Sequence, residues 1–368
     1  LSHPYLRAHN RMWKEFALAF NGNITNGEEI KKEMLNCGRD YYLKTDGDTE
    51  LMRIFFAREL GSLDRKPSQK DYVTIIREFA EKFDGAYCLM FLNAVGELLL
   101  VRDPLGIHPL FYAIHQDTLV AASEDSAIRA LGIDEIQEVE PGSIVYCHGD
   151  KVSVHRFAPR QRTKMCIFEH IYFMNAASTF GGRSVQRARV HLGRNLARDE
   201  QIADVSNMVT GPVPGTAIGM CDGYQHGIFD ERGQYLPRYD ALVKVNESRS
   251  FIADFSFLPR DQIIRNKFDL TPDYLRSREW MLIDDSIVRG STSRQLFKYV
   301  RQVCKAKKIH MRSAAAPIRF PCFYGINMPT LQELIASNHK SVEQIRHCLL
   351  YTSPSPRDRT RSRMPSSA

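Results

Sequence analysis

The chain has 368 residues, 43% of them hydrophobic, and a formal net charge of +7, which suits about two globular domains. Arg357, Arg359, Arg361 and Arg363 against Asp358 place +3 of that charge in the last few residues. The +4 left elsewhere is so mild an excess that no nucleic-acid claim follows from it, and no apolar run approaches the ~18 residues of a membrane span.

Leu1 to Arg11 is polar and shows no signal-peptide pattern. With eight cysteines spread thinly over the chain, the expectation is reduced thiols or metal ligands in a cytoplasmic setting. Phe16 to Phe20 reads as an apolar strand that runs into Asn21-Gly22-Asn23. An amide side chain and a flexible backbone N–H at the mouth of a strand can both donate to a developing oxyanion. Asn-Gly is also the commonest hairpin turn, and on the residues alone the turn is the favoured reading. Asn26 with Glu29 resembles a capping box for a helix carrying Ile30, Met34 and Leu35, which stops at Gly38.

Thr45 to Glu50, TDGDTE, is an acid-rich turn opening a helix with Leu51, Ile54 and Phe55. Asp48 either caps that helix or offers a carboxylate to an ammonium group. An amphipathic helix over Asp71–Phe83 carries Tyr72, Ile75, Ile76 and Phe79. Two apolar strands follow, Tyr87–Leu92 and Leu98–Arg102, joined by a turn around Asn93 and Gly96. Arg102 to Leu110 is an irregular segment fixed by two prolines and a glycine, and short strands run on to about Val154. Hairpins with helices before them predict a sheet-rich layered domain rather than a βαβ repeat.

The second half begins near the basic RQRTK stretch, with the boundary between Phe157 and Met165. A helix over Val185–Ala197, with Ala188, Val190, Leu192 and Leu196, precedes a weak strand at Met208–Thr210 and the loop Gly211-Pro212-Val213-Pro214-Gly215-Thr216-Ala217. Lys244 to Asp269, which holds Arg249, Ser250, Phe251 and Lys267, reads either as a cationic loop closing over a phosphorylated ligand or as a solvated surface loop. Met281 to Ser293, MLIDDSIVRGSTS, is the most informative stretch. Met281-Leu282-Ile283 predicts a parallel strand buried on both faces. Asp284 and Asp285 end it, a small-residue loop follows, and a helix begins with Leu296, Val300, Val303 and Cys304 on one face. Backbone N–H groups, a helix N-terminus, hydroxyls and Gly290 suit a phosphate. The paired acids suit ribose hydroxyls or the waters of a hydrated Mg2+. The competing reading is an ordinary strand-to-helix turn capped by Asp285 or Ser286. Ile309 to Ser313 alternates as a further strand. Cys322 on its own reads first as a small core residue.

Acid-acid-Ser-Ile-Val-Arg-Gly-Ser-Thr-Ser after an apolar strand resembles the signature of type I phosphoribosyltransferases, which bind 5-phosphoribosyl-1-pyrophosphate (PRPP). The longer IDDSIVRGSTS is most similar to the amidophosphoribosyltransferase family, the glutamine PRPP amidotransferases. Ala19 to Ile24, Gly47 to Glu50, Phe83 to Tyr87, Arg102 to Ile107, CIFEHIYFMNAAS, GGRSVQRARVHLG, Ala316 to Ile326 and Thr330 to Ala336 resemble further blocks of the same family.

The resemblance implies an α/β protein with an α+β first half. A layered αββα N-terminal-nucleophile hydrolase-like domain, a glutamine amidotransferase over 1–160, precedes a phosphoribosyltransferase domain with a parallel sheet over 161–346. Residues 347–368, rich in Ser, Pro and Arg, are expected to be a disordered or non-native tail. The implied activity is that of a pentosyltransferase making phosphoribosylamine from PRPP and glutamine, the first step of purine biosynthesis. Asn21 and Gly22 would hold the oxyanion, Asp48 the glutamine, and Lys244 and Arg249 would belong to the catalytic loop. Asp284, Asp285, Ser286, Arg289, Gly290, Ser291, Thr292 and Ser293 would bind PRPP, with Mg2+ at Asp284 and Asp285.

In the family pattern an acid and hydroxyls follow Val-Pro, whereas here Gly215 and Ala217 leave Thr216 alone. Cys166 and Cys322 stand where the cluster-containing branch has two ligands of a structural [4Fe-4S] cluster, an incomplete set. The nucleophilic cysteine that opens such hydrolases does not precede Asn21, so the expectation is an N-terminally incomplete chain limited to ammonia-dependent synthesis. Partners implied are PRPP, glutamine or ammonia, with no nucleic acid, no membrane, and a homo-oligomer. The alternatives are a simple base phosphoribosyltransferase or a PRPP-binding regulatory protein.

Overall fold

The structure is a computed structural model, and it describes residues 3–36, 43–245, 268–328, 330–338 and 341–350. The chain divides into two units: residues 1–169, 173–183 and 322–327 form the first, and 170–172, 184–321 and 328–368 the second.

In the first unit a six-stranded antiparallel sheet runs β1-β2-β3-β4-β8-β9, with β1 Tyr5–Arg7, β2 Phe16–Ile24, β3 Gly85–Asn93, β4 Leu98–Arg102, β8 Ser143–His148 and β9 Lys151–Arg156. Side chains of β3 and β4 alternate between two buried faces, which is why both strands read as continuous apolar runs. Leu89, Phe91, Leu99 and Val101 pack with Phe55, Phe56 and Phe79 of helices α2 (Asp48–Ser62) and α3 (Gln69–Lys82). Cys88, Leu100 and Val145 pack on the other face with Leu110, Tyr112 and Val139. There lies a second sheet, β6-β5-β7, built from β5 Phe111–His115, β6 Thr118–Ala122 and β7 Gln137–Glu138 and flanked by the short helix α4, Asp125–Arg129.

Helix α3 starts at Ser68, whose hydroxyl and Asp71 complete a capping box. Helix α1 (Gly27–Asn36) does not start in the predicted way. Asn26 turns its side chain to Lys82 O (2.9 Å) and Asp84 N (3.0 Å), bridging the turn between α3 and β3 instead of capping α1. Gly38 lies outside the described residues. Lys164 N donates to Leu105 O (2.8 Å) and Cys166 N to Ile107 O (3.0 Å), so the stretch after RQRTK packs with the first unit.

The short strands β10 (Thr179–Phe180) and β11 (Arg183–Ser184) come next in sequence. The second unit is built on a parallel sheet ordered β12-β15-β16, with β12 Met208–Pro212, β15 Glu279–Asp284 and β16 Lys308–Ser313. Trp280, Met281, Leu282 and Ile283 of the central strand are all fully buried. Met281 and Ile283 face helix α6 (Ile218–Arg232) through Met220, Cys221, Tyr224 and Ile228, with Ala197 of α5 (Val185–Arg198) in the same core. Trp280 and Leu282 face the hairpin β13 (Leu242–Lys244) and β14 (Phe268–Leu270) and helices α7 (Ser291–Cys304), α8 (Ile335–Asn338) and α9 (Val342–Leu350).

Two helices bury residues beyond those predicted. Helix α5 fully buries Val185, Arg189, Gly193 and Ala197, with Leu192 and Leu196 half-buried against the same core. At Gly193 an added Cβ would lie 1.9 Å from Met220 O, so the close approach of α6 selects the glycine row. Helix α7 buries Phe297 beside Leu296, Val300 and Cys304, and Val303 is exposed. The expected tail begins as structure, because residues 342–350 are helical with Ile345 and Leu349 in the core. Residues 351–368 lie outside the described residues.

Candidate functional site

The second unit places two acids at the C-terminal end of its central strand. Asp284 is the last residue of β15, paired in register with Ser313, and its Oδ1 accepts from Asp285 N at 2.9 Å. The backbone turn is held by Ala314 N to Asp284 O (3.0 Å) and Ala315 N to Asp285 O (2.8 Å). Asp285 is buried, and its carboxylate accepts from the hydroxyls of Ser286 (2.7 Å) and Thr216. Burial pushes its pKa up, while the two hydroxyls and the charge of Arg189 oppose the shift. A buried carboxylate with raised proton affinity is a ready partner for a cation or a sugar hydroxyl.

The strand does not continue past Asp284, and the loop 285–290 leads to Gly290 at the start of α7. Gly290 has φ +72°, and a Cβ there would sit 2.6 Å from Ile335 Cδ1. It takes the N-cap position, and no side chain caps the helix. The capping role weighed for Asp285 or Ser286 is therefore overturned, and the first-turn N–H groups have neither intrahelical partners nor a side-chain cap. Ser291 and Thr292 are exposed, whereas Ser293 is buried. Arg289 pairs with Glu333 at 2.5 Å, which commits part of its charge away from any phosphate. Lys244 ends β13 with an exposed side chain, and Arg249 lies outside the described residues.

In the first unit the hairpin reading of Asn21-Gly22 is overturned. Both residues lie inside β2, opposite Cys88 and Tyr87 of β3. Gly22 has φ +147°, and a Cβ there would meet Ala86 O at 1.9 Å, so only glycine allows the two strands to approach so closely. Asn21 is exposed at this point. Asp48 is the first residue of α2, whose N-cap is Gly47. Its Oδ2 accepts from Ile24 N at 2.8 Å, tying the helix start to the end of β2. Burial raises the Asp48 pKa, with the Ile24 N–H opposing.

The Cys166 thiol is pushed up to about 11 by burial, and the neighbouring Cys322 thiol adds to the shift. Cys322 Sγ accepts from Tyr324 N at 3.3 Å. The structure thus brings these two cysteines within electrostatic reach of each other. Among the described residues no group of three or more His, Cys, Asp or Glu side chains forms a metal site. Two thiols are half of the four that a [4Fe-4S] cluster takes.

Sequence reasoning missed Arg189 beside Asp285 and the group formed by Asn23, His108 and Glu169. An arginine on the row Val185–Gly193–Ala197 is the one local signal that pointed to the first. The second depends on Phe323 and Tyr324, and nothing local marks it.

Residues 7–130 match the family model described as a glutamine amidotransferase domain. The amidophosphoribosyltransferase of Methanothermobacter thermautotrophicus is 35% identical over 343 residues, covering 92% of this chain and 68% of that protein. That of Bacillus subtilis is 33% identical over 332 residues, covering 90% of this chain and 65% of that protein. The chain therefore spans about two thirds of the length of these relatives. A solved structure of glutamine PRPP amidotransferase from B. subtilis, complexed with ADP and GMP, superposes with a TM-score of 0.78 at 31% identity, over 94% of this chain and 71% of that one. A structure described as the allosteric regulatory enzyme of purine biosynthesis also gives 0.78, at 32% identity over 94% and 70%.

Proposed function

The chain belongs to the amidophosphoribosyltransferase family, and from that premise we propose which of its residues carry out the transfer of ammonia to PRPP. The family activity, phosphoribosylamine formation from PRPP and glutamine at the first step of purine biosynthesis, joins a glutamine amidotransferase half to a phosphoribosyltransferase half. We assign these to residues 1–160 and 161–346. The observation that carries the assignment is Asp285, a buried acid bonded by Thr216 and Ser286 immediately before the uncapped N-terminus of α7.

Ser291, Thr292 and the first-turn N–H groups of α7 hold the 5-phosphate of PRPP, where the helix dipole favours negative charge. Asp284 and Asp285 hold the ribose hydroxyls and orient C1 toward the incoming ammonia. The donor set also fits Mg2+, which takes oxygen ligands from one or two carboxylates and completes its shell with substrate phosphates and water. Asp284 and Asp285 would hold the ion, which would supply positive charge to the pyrophosphate leaving group. Thr216 keeps Asp285 turned toward this site. The broken Val-Pro loop pattern at Gly215 and Ala217 thus leaves one hydroxyl that acts through the acid.

In the first half, Asn21 and the backbone N–H of Gly22 stabilise the oxyanion formed at the glutamine carboxamide, and Asp48 holds the glutamine ammonium. Among the described residues no helix is long and apolar enough to cross a membrane. A cytoplasmic homo-oligomer is part of the same reading.

Phosphoribosylamine formation from PRPP, Mg2+ and ammonium, measured beside Asp284→Asn, tests the assignment. The substitution is expected to lower the rate by at least about tenfold, since it removes one charge from an electrostatic site. Equal rates would remove Asp284 from the site.

A further inference from the structure

Residues Cys322–Asn327 belong to the first unit, although they follow β16 in sequence. They lie directly against the strand that carries Asn21 and Gly22. Asn23 Nδ2 donates to Phe323 O at 2.9 Å, across 300 positions of sequence. His108 Nε2 lies 2.8 Å from Tyr324 O, and its Nδ1 lies 2.6 Å from Glu169 Oε1. Because a carbonyl only accepts, Nε2 carries a proton, and the ring donates there while Glu169 engages its other nitrogen. Two consecutive carbonyls are thereby gripped by two side chains of the first half.

The contact is close at the oxyanion strand itself. A Cβ on Gly325 would lie 3.4 Å from Gly22 C and 3.4 Å from His108 Nε2, and Gly325 has φ +112°, a conformation that excludes other residues at low cost. His108 and Glu169 are both buried, so neither side chain can swing into solvent without losing a charged partner. The grip therefore has a fixed anchor on one side and the Gly22 peptide on the other.

We propose that Cys322–Asn327 is a strap that fixes the Gly22 peptide in its donating orientation, and that Asn23 and His108 are positioning residues for glutamine hydrolysis. The inference rests on the reading of Asn21 and Gly22 as oxyanion donors. A donor misdirected by a fraction of an ångström loses value in the transition state and little in the ground state. Loosening the strap thus lowers kcat and spares glutamine binding, which Asp48 governs from α2.

The test uses the natural full-length enzyme and measures glutamine-dependent and ammonia-dependent synthesis in parallel for Asn23→Ala, His108→Ala, Gly325→Ala and Asn21→Ala. The strap variants are expected to lower kcat with glutamine by about tenfold to a hundredfold, with KM for glutamine and the ammonia-dependent rate within about twofold. Asn23 is only half-buried, so Asn23→Ala carries the test if His108→Ala does not fold. If Asn21→Ala lowers kcat while the folded strap variants keep it, or if those variants raise KM alone, the strap is overturned and the oxyanion reading stands. If Asn21→Ala leaves kcat unchanged, the oxyanion reading falls and takes the strap with it.

Discussion

Thr216 donates its hydroxyl to the buried carboxylate of Asp285, joining the loop after β12 to the end of β15 across 69 positions of sequence. Parallel pairing of the two strands sets this contact, because Pro212 stands beside Ile283 and delivers both following loops to the same edge of the sheet. Ligand sites of open parallel sheets form at that edge.

Thr216→Val keeps the shape of the side chain and removes the donor. Leaving a buried carboxylate short of one hydrogen bond costs about 1–3 kcal/mol. Urea unfolding is expected to show that loss, and calorimetry a weaker affinity for PRPP in the presence of Mg2+. Unchanged binding would mean that Asp285 is held by Ser286 alone.

Asp285 couples binding to protons. Its folded-state pKa is raised by burial, so the stability tied to its protonated form is full below the unfolded value of about 3.9 and is lost as pH rises through the folded one. Asp285→Asn is therefore expected to raise the Tm of the ligand-free protein at neutral pH while weakening Mg2+-PRPP binding. At a pH low enough to leave part of Asp285 protonated, binding of Mg2+-PRPP is expected to release protons, which calorimetry in buffers of different ionisation enthalpy will detect. A lower Tm for Asp285→Asn would contradict the assignment.

Gly290→Ala places a side chain on a left-handed residue and against Ile335 Cδ1 and Leu349 Cδ2. The backbone cost is about 1–2 kcal/mol, and the contacts fall on flexible side-chain ends that can shift. A stability loss in that range by urea unfolding, with a further loss of PRPP affinity, is expected. An affinity that survives intact would show that the N-terminus of α7 does not carry the phosphate.

His108 gives the first half a pH dependence of the opposite origin. Burial disfavours the charged ring, but Glu169 and the Tyr324 carbonyl outweigh it and raise the pKa. The folded value thus lies above the unfolded one of about 6.5, so the stabilisation is full below about pH 6.5 and fades as pH rises through the folded pKa. The stability gap between the unaltered protein and His108→Ala is expected to narrow with rising pH. A gap that is flat across the range would show that folding leaves the His108 pKa unshifted.

The stretch Met281 to Ser293 was legible because its information is local: strand, acids, glycine and helix follow one another, and a strand covered on both faces writes itself as an apolar run. Other positions were decided by partners far along the chain. Asn21-Gly22 carries the commonest turn dipeptide, yet the ladder with Cys88 and Tyr87 extends it, because Gly22 is the residue that lets Ala86 O come close. Asn26 has the spacing of a cap but finds Lys82 and Asp84, and Arg289 sits in the phosphate signature but pairs with Glu333. Sequence alone determined the family, the acid pair and the strand-to-helix transition. The tertiary structure alone decided which faces are buried, which partner each charge meets and that Gly325 lies against Gly22, because those outcomes depend on packing between segments whose separation no local pattern encodes.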